Sequence, residues 1–373
     1  MMCKKEFENS NTIKIMIGRR YQMNGLKCDS MKKTKICIIG HFAWKDNDMI
    51  GAVVKARSLY SQLTAEYENE KGINTIDIYM WRKNKFKVFY QLVRGFALSK
   101  NIILVISESS GKILSLIKLL KHIFNNNILY CLVGGDLDTN LKNHPERIKN
   151  IRCINHFFVE TERCRSGLVD LGISNVSVLK NFKMLQPVKN IKEQNYESFK
   201  FCCFSRIVKE KGIEDAIKAI DILNKAGYKC ILDIYGAVDS SYNKEFFDII
   251  NGNEQCEYKG CVEANQSVEV LSDYFCLLFP TRFFNEGIPG TIIDGFAAGI
   301  PIICSDWKYR TELIVDGENG LVYPFLDFEG LIEKMKYAML HSDRMEYIRY
   351  NSLKSYMNYN PSEVIGILKE YVV

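Results

Sequence analysis

Glu286 stands eight positions before Asp294, and between them runs Gly287-Ile288-Pro289-Gly290. Pro289 and Gly290 open an apolar stretch, Thr291 to Ala298, whose spacing predicts a helix; Pro301 then breaks the chain, and Ile302 to Cys304 predicts a short buried strand. A glycine-bearing turn feeding a helix start offers backbone N–H groups and the positive end of the helix dipole, a setting for a phosphate. A carboxylate beside it can accept hydrogen bonds from hydroxyls on whatever carries that phosphate. Phosphate together with hydroxyls points to a nucleotide sugar. A Gly-Pro turn before a helix is also common punctuation, and an acid there also serves as capping electrostatics.

A second segment, Lys200 to Ile220, carries complementary chemistry. Phe201 to Phe204 predicts an apolar strand and Ile213 onward has helical spacing, with Arg206, Lys211 and Gly212 on the connecting loop. The planar fork of an Arg and the point charge of a Lys make a clamp for a diphosphate. Alone, the loop would read as a solvated Lys/Glu stretch.

Together the segments resemble the retaining glycosyltransferases of family four, glycosyl transferases group one. Ser205-Arg206 with Lys211-Gly212, Glu286 through Asp294, Ala298-Gly299-Ile300-Pro301, Glu312-Leu313-Ile314 and Asp316 to Leu321 carry the resemblance across roughly residues 200 to 330. The family's usual pattern has Glu at both ends of the acidic motif; the second is Asp294 here, as in some polysaccharide-type members. More weakly, Gly40-His41 through Gly51 is similar to the family's first glycine loop, near the donor phosphates and acceptor. Val159 to Glu162, Leu168 to Gly172, Asn175-Val176 and Leu179 to Lys183 continue it. Many relatives place a His after the fourth strand; here the chain reads Val133-Gly134-Gly135-Asp136, where glycines would let backbone approach a ligand.

The resemblance implies a donor site of Arg206, Lys211 and Glu286 as catalytic residues. Gly287, Ile288, Pro289, Gly290, Thr291, Asp294, Gly236 and Gly260 would bind the donor, and Gly40, His41, Gly51 and Gly135 would line the facing side. A lone loop histidine such as His41 also serves as a simple solvent contact. Two DxD triplets, Asp46-Asn47-Asp48 and Asp136-Leu137-Asp138, carry oxygen ligands that suit magnesium or manganese. Arg206 and Lys211 already supply the positive charge a metal would bring, so no metal site and no cofactor is expected, the nucleotide diphospho-sugar being substrate.

Length and composition fit two domains. The chain has 373 residues, 47% hydrophobic and 25% charged. Several of the 13 Cys lie inside apolar strands and read as reduced packing residues; the five His have no metal-ligand spacing. The start has no apolar signal core, and the run from Ile102 to Phe124 is broken by Glu108, Lys112, Lys118 and Lys121. These features predict a cytoplasmic protein. Net charge is +6, but residues 1–183 hold 30 Lys+Arg against 16 Asp+Glu, and residues 184–373 hold 20 against 28. The basic half is the one to meet an anionic surface or acceptor. Within it, Trp81 to Tyr90, then Arg94 and Phe96, mixes cations with aromatics and suits anionic lipid headgroups on the inner face of a membrane, or else an ordinary amphipathic helix. No nucleic-acid module is recognisable, and nucleic acid is not expected as a partner.

Strands are predicted at 35–40, 76–81, 102–107, 128–133, 157–160 and 176–179, with helices between most. A second set is predicted at 201–204, 230–235, 276–279 and 302–304. Alternation of this kind predicts an α/β protein of two doubly wound, Rossmann-like parallel sheets. The resemblance adds the GT-B architecture, a cleft between the domains, and a terminal helix crossing back. The expected organisation is a tail or gene-model extension over 1–30, an acceptor-binding domain over 31–183, a linker over 184–198, a nucleotide-sugar domain over 199–345, and the returning helix over 346–373. The reading is a retaining, metal-independent hexosyltransferase. It would move a sugar from a UDP-sugar to a glycan or lipid-linked acceptor in bacterial capsule or exopolysaccharide synthesis. A nucleotide-sugar epimerase of the same architecture and a non-catalytic nucleotide-binding member of an assembly complex are the alternatives.

Overall fold

The computed structural model describes residues 34–44, 51–67, 72–107, 111–193 and 197–373; the expected tail and Asp46-Asn47-Asp48 lie outside the described residues. Apolar runs closed by glycine or polar turns form strands covered on both faces, as parallel sheets require. The first sheet holds β1 (Thr34–Gly40), β2 (Ile73–Asp77), β3 (Ser99–Ile106), β4 (Asn127–Leu132), β5 (His156–Val159) and β6 (Val176–Val178), all parallel, in the order β2-β1-β3-β4-β5-β6. Its helices are α1 (Gly51–Glu66), α2 (Lys85–Leu98), α3 (Gly111–Phe124), the short α4 (Leu137–Asn143) and α5 (Ile148–Ile151), and α6 (Glu162–Asp170).

The second sheet holds β7 (Phe199–Phe204), β8 (Cys230–Tyr235), β9 (Cys256–Gly260), β10 (Cys276–Phe279), β11 (Ile302–Ser305) and β12 (Leu321–Tyr323), again all parallel, in the order β12-β11-β10-β7-β8-β9. Around it lie α7 (Ile213–Lys225), α8 (Asn243–Ile250), α9 (Ser267–Leu271), α10 (Gly290–Ala297), α11 (Phe328–Leu340) and α12 (Ser342–Ser355). The chain then returns: α13 (Pro361–Lys369) buries Val364, Ile365 and Leu368 among Ile36, Ile38 and Leu59 of the first lobe, and Lys369 pairs with Glu66 at 2.6 Å. This is the GT-B architecture. The helix expected from residue 346 is in fact two, because α12 keeps Met345 and Ile348 in the second core before a turn at Tyr356–Tyr359 releases the chain.

Three other elements differ from the sequence expectation. The strand expected over 76–81 ends at Asp77, whose carboxylate accepts from the amides of Tyr79 and Phe42, both at 3.0 Å, and turns the chain into a 3₁₀ segment. β9 was missed because it is an edge strand with alternate residues exposed, so its sequence CEYKG lacks an apolar run. β12 is only three residues long. The strand cysteines pack as expected: burial pushes the Cys37 and Cys131 thiols up to about 12, far from reactive thiolates.

In the second sheet the connections from β7 run to one side and β10 lies on the other. The loops after β7 and β10 therefore flank the topological switch point, the edge where doubly wound sheets take ligands. Gly212 lets these loops touch. Its φ is +66°, and a Cβ there would stand 1.9 Å from the Pro280 carbonyl oxygen. Gly227 is also left-handed, at +93°, but faces open space. Gly212→Ala should therefore cost about 3 kcal/mol or more, strain plus collision, against about 1 kcal/mol for Gly227→Ala. Urea unfolding of the two variants checks this, and equal losses would remove the packing argument.

Candidate functional site

β7 and β10 are hydrogen-bonded neighbours, so the chain segments leaving their C-terminal ends start side by side. The Arg282 amide donates to the Glu210 carbonyl at 2.8 Å, and the Thr291 hydroxyl donates to the Phe204 carbonyl. Between them Lys211 Nζ sits 2.5 Å from Glu286 Oε2, with both side chains more than four-fifths buried, and 5.2 Å above the Phe279 ring. Two of the three residues assigned to catalysis are thus in direct contact. Arg206, the third, lies exposed on the same loop. The Ile207 amide donates to the Ala237 carbonyl at 2.9 Å, which joins this loop to the one after β8. The Asp239 carboxyl there is held below its ordinary range, first by Ser241 and in smaller part by the Arg206 charge. Gly236 and Gly260 close this side, with the Gly236 amide donating to the Gly260 carbonyl at 2.9 Å.

The opposite wall comes from the strand ends of the first sheet. Gly135 and Gly287 meet with almost no room: a Cβ on Gly287 would lie 3.3 Å from the Gly135 nitrogen and 2.7 Å from Glu160 Oε2. A Cβ on Gly135 would lie 2.5 Å from the Tyr309 ring, whose hydroxyl donates to the Gly135 carbonyl. The glycines at both positions serve close approach of the two lobes. The C-terminal edges of the two sheets therefore face each other, with the Glu286 loop between them.

The side chain that fixes this approach is Glu160, buried at the end of β5. Its Oε1 receives Lys55 Nζ at 2.5 Å, and its Oε2 accepts from the Ile288 amide at 3.1 Å. Lys55 also donates to the Leu132 carbonyl at 2.6 Å. The Ile288 carbonyl in turn accepts from Asn181 Nδ2 at 2.9 Å. Both backbone groups of Ile288 are thus held by the first lobe. Sequence reading missed Lys55 altogether and carried Glu160 only as part of a resemblance. The available signal was a lysine on the apolar side of α1, among Val53, Ala56 and Leu59.

Asp294, expected among the donor-binding residues, has its side chain buried, with Oδ1 accepting from the Ser267 hydroxyl at 2.8 Å and Oδ2 paired with Lys183. Burial raises its pKa above the ordinary carboxylate range, with Lys183 opposing. An aspartate on a helix whose neighbours Ile292, Ile293 and Phe296 are all buried stays inside the packing. The stem of Lys183 passes Gly290, at the start of α10, on its way to Asp294.

Asp136 starts α4 without capping it, and burial raises its pKa, with Lys308 and the Asn285 side chain opposing. Asp138 faces Tyr309 Oη at 3.3 Å and Lys308 Nζ at 3.5 Å, so a cation already stands beside this DxD triplet. His41 is half-buried just after β1, and Gly51 begins α1; part of the loop joining them lies outside the described residues.

Residues 186–355 match the family model "Glycosyl transferases group 1". Among curated relatives, the "Capsular polysaccharide biosynthesis glycosyltransferase CapM" of Staphylococcus aureus is 23% identical over 189 residues, 49% of this chain and 49% of that protein. The "UDP-N-acetylglucosamine--peptide N-acetylglucosaminyltransferase GtfA subunit" of Streptococcus pneumoniae is 26% identical over 337 residues, 82% of this chain and 62% of that protein. The chain spans less than two thirds of the length of these relatives. Among solved structures, Anabaena Alr3699/HepE in complex with UDP and glucose superposes with a TM-score of 0.69 at 12% identity, covering 90% of this chain and 98% of that one. Sucrose-phosphate synthase from Thermosynechococcus elongatus gives 0.72 at 14% identity, covering 90% and 98%. At such identities the superpositions establish the fold.

Removing one partner of a buried pair strands the other charge. Lys55→Met should cost about 3–5 kcal/mol. Adding Glu160→Gln removes the stranded charge while keeping an acceptor for the Ile288 amide, and should recover more than half of that loss. Chemical denaturation of the two variants measures both; no recovery in the double variant would show that a stranded Glu160 carboxylate is not the source of the loss.

Proposed function

We propose that the chain is a member of glycosyl transferases group 1, whose family model matches residues 186–355, and that it is a retaining enzyme moving a sugar from a UDP-sugar to a glycan or lipid-linked acceptor in bacterial surface-polysaccharide assembly. The observation that carries this reading is the convergence of the Lys211 and Glu286 loops at the switch point, facing the glycine-lined wall of the first lobe. UDP as the donor base is supported by relatives that take it: HepE holds UDP and glucose, GtfA is described as a UDP-N-acetylglucosamine transferase, and TarM of S. aureus holds UDP. The capsule relative supports the polysaccharide setting.

In this reading the donor diphosphate lies between Arg206, Lys211 and the start of α10. Breaking the anomeric bond leaves negative charge on the β-phosphate, and the two cations stabilise it as it develops. Glu286 accepts hydrogen bonds from hydroxyls of the transferred sugar and fixes its orientation. Its pairing with Lys211 sets the two side chains in one place, so the diphosphate and sugar ends of the donor are positioned together. The acceptor hydroxyl enters from the face that the phosphate leaves, and that phosphate takes the hydroxyl proton. No protein nucleophile and no divalent metal is needed, because the positive charge is supplied by side chains. Asp294 acts through Lys183, holding it beside Gly290 rather than meeting the ribose itself. Among the described residues no helix is long and apolar enough to cross a membrane.

Arg206 is exposed and packs no core. Arg206→Ala should therefore lower kcat/KM for the donor about 10²- to 10³-fold, as losing one preorganised charge-stabilising group does, and leave Tm unchanged. Turnover within a few-fold of the parent would remove the mechanism. UDP-sugars should raise Tm in the absence of Mg²⁺ where GDP-sugars do not, since ligand binding stabilises the folded form. Conversion of the donor to a new nucleotide sugar without acceptor would favour an epimerase instead.

A further inference from the structure

The outer face of α2 carries large exposed aromatics. Val88, Leu92 and Phe96 turn inward and are buried, which accounts for the packing of the helix on the first sheet. On the other side Phe86 is 89% exposed and Tyr90 55% exposed. With the exposed Arg94 they recur every four residues and so form one stripe along the helix. Lys83, Lys85 and Lys87, all exposed, surround Phe86 in the turn that opens the helix. The helix is fixed there by Asn84, whose side chain accepts from the Lys87 amide at 3.0 Å.

No Asp or Glu occurs anywhere from residue 78 to residue 107. The lysines therefore have no acidic neighbour in their own segment. A solvated helix face ordinarily mixes both signs and leaves its large apolar residues inside. Here a phenylalanine stands almost fully in water and is flanked in sequence by lysines.

We propose that this face of α2 docks on an anionic lipid surface, with Phe86 and Tyr90 entering the interface and the cations meeting phosphate headgroups. An aromatic pair inside a cationic ring matches the layering of such a surface, apolar below and negative above. Nucleic acid fits the face less well, since the residue at its centre is a phenylalanine rather than a polar side chain that could read a base edge. The docking is independent of the donor reading: α2 lies outside the Arg206, Lys211 and Glu286 loops, and the test needs no turnover.

The full chain is floated with vesicles of phosphatidylcholine alone and of phosphatidylcholine mixed with phosphatidylglycerol, in low and high salt. It should rise with the mixed vesicles in low salt and stay behind with the neutral ones. Phe86→Ser with Tyr90→Ser should lower the partition coefficient about tenfold at unchanged Tm. Each lysine replaced by Gln among Lys83, Lys85 and Lys87 should lower it about fivefold, as expected for a cation near an anionic surface. Recovery with neutral vesicles to the same extent, no flotation at all, or equal flotation by the serine variant would each overturn the proposal. So would binding to a DNA duplex that is lost in the lysine variants while the vesicles are ignored; that result would assign the face to nucleic acid.

Discussion

Glu160 holds a carboxylate out of water between two lobes, and its two oxygens point to different ones. Oε1 is neutralised within the first lobe by Lys55, while Oε2 takes the amide of Ile288 in the second. Desolvating a carboxylate costs several kcal/mol unless it is paired and hydrogen-bonded. Both oxygens are satisfied only when the Ile288 turn is in place against β5. The same arrangement fixes the turn's path: Asn181 donates to the carbonyl of the same residue, so the peptide group on either side of Ile288 cannot rotate without breaking a bond. Glycine at 287 is then a requirement, since any side chain would strike the Glu160 carboxylate.

Other contacts across the lobes follow the same geometry. Thr161, the residue after Glu160, caps α6, and the first amides of that helix are met from the second lobe, with Glu162 and Arg163 donating to the Glu312 carboxylate at 2.7 and 2.9 Å. A carboxylate at a helix start is favourable both as a cap and against the helix dipole. Tyr309 fills the space that Gly135 leaves and donates to its carbonyl. Each contact joins a strand end of one sheet to a loop of the other. Separation of the lobes would expose Glu160, the α6 amides and the Ile288 peptide together, so these contacts favour a closed arrangement in which water is kept from the proposed donor.

What could be read from the sequence was chemistry carried by near neighbours. Arg206, Lys211 and Gly212 share one loop, Glu286 and Gly287 to Gly290 another, and the apolar strands before them place both loops at the same sheet edge. Gly212 was legible as a turn, but not that the Pro280 carbonyl makes it necessary. Pairs that meet only in the fold were not legible: Lys55 and Glu160 are separated by 105 positions and Lys183 and Asp294 by 111. A lone charge in an apolar pattern is the one trace such pairs leave, and it names neither partner. Edge strands such as β9 hide for a different reason. Half their residues face water, so the alternation of a short polar sequence resembles a loop.

On the second turn of α10, Asp294 remains among buried neighbours and pairs with Lys183 of the interlobe segment. The lysine stem consequently lies against Gly290, where α10 begins. In the proposed reaction this adds a cation, screened by its own carboxylate, to the end of the helix nearest the diphosphate. Because Lys183 belongs to the segment leaving the first lobe and Asp294 to the helix of the second, the pair also registers the lobes beside the donor. Tyr356 strengthens that registration, with its hydroxyl donating to the Leu185 carbonyl at 2.9 Å just before the chain turns back toward the first lobe. In the proposed reaction Asp294 thus also sets where the charges of its neighbours stand beside the donor.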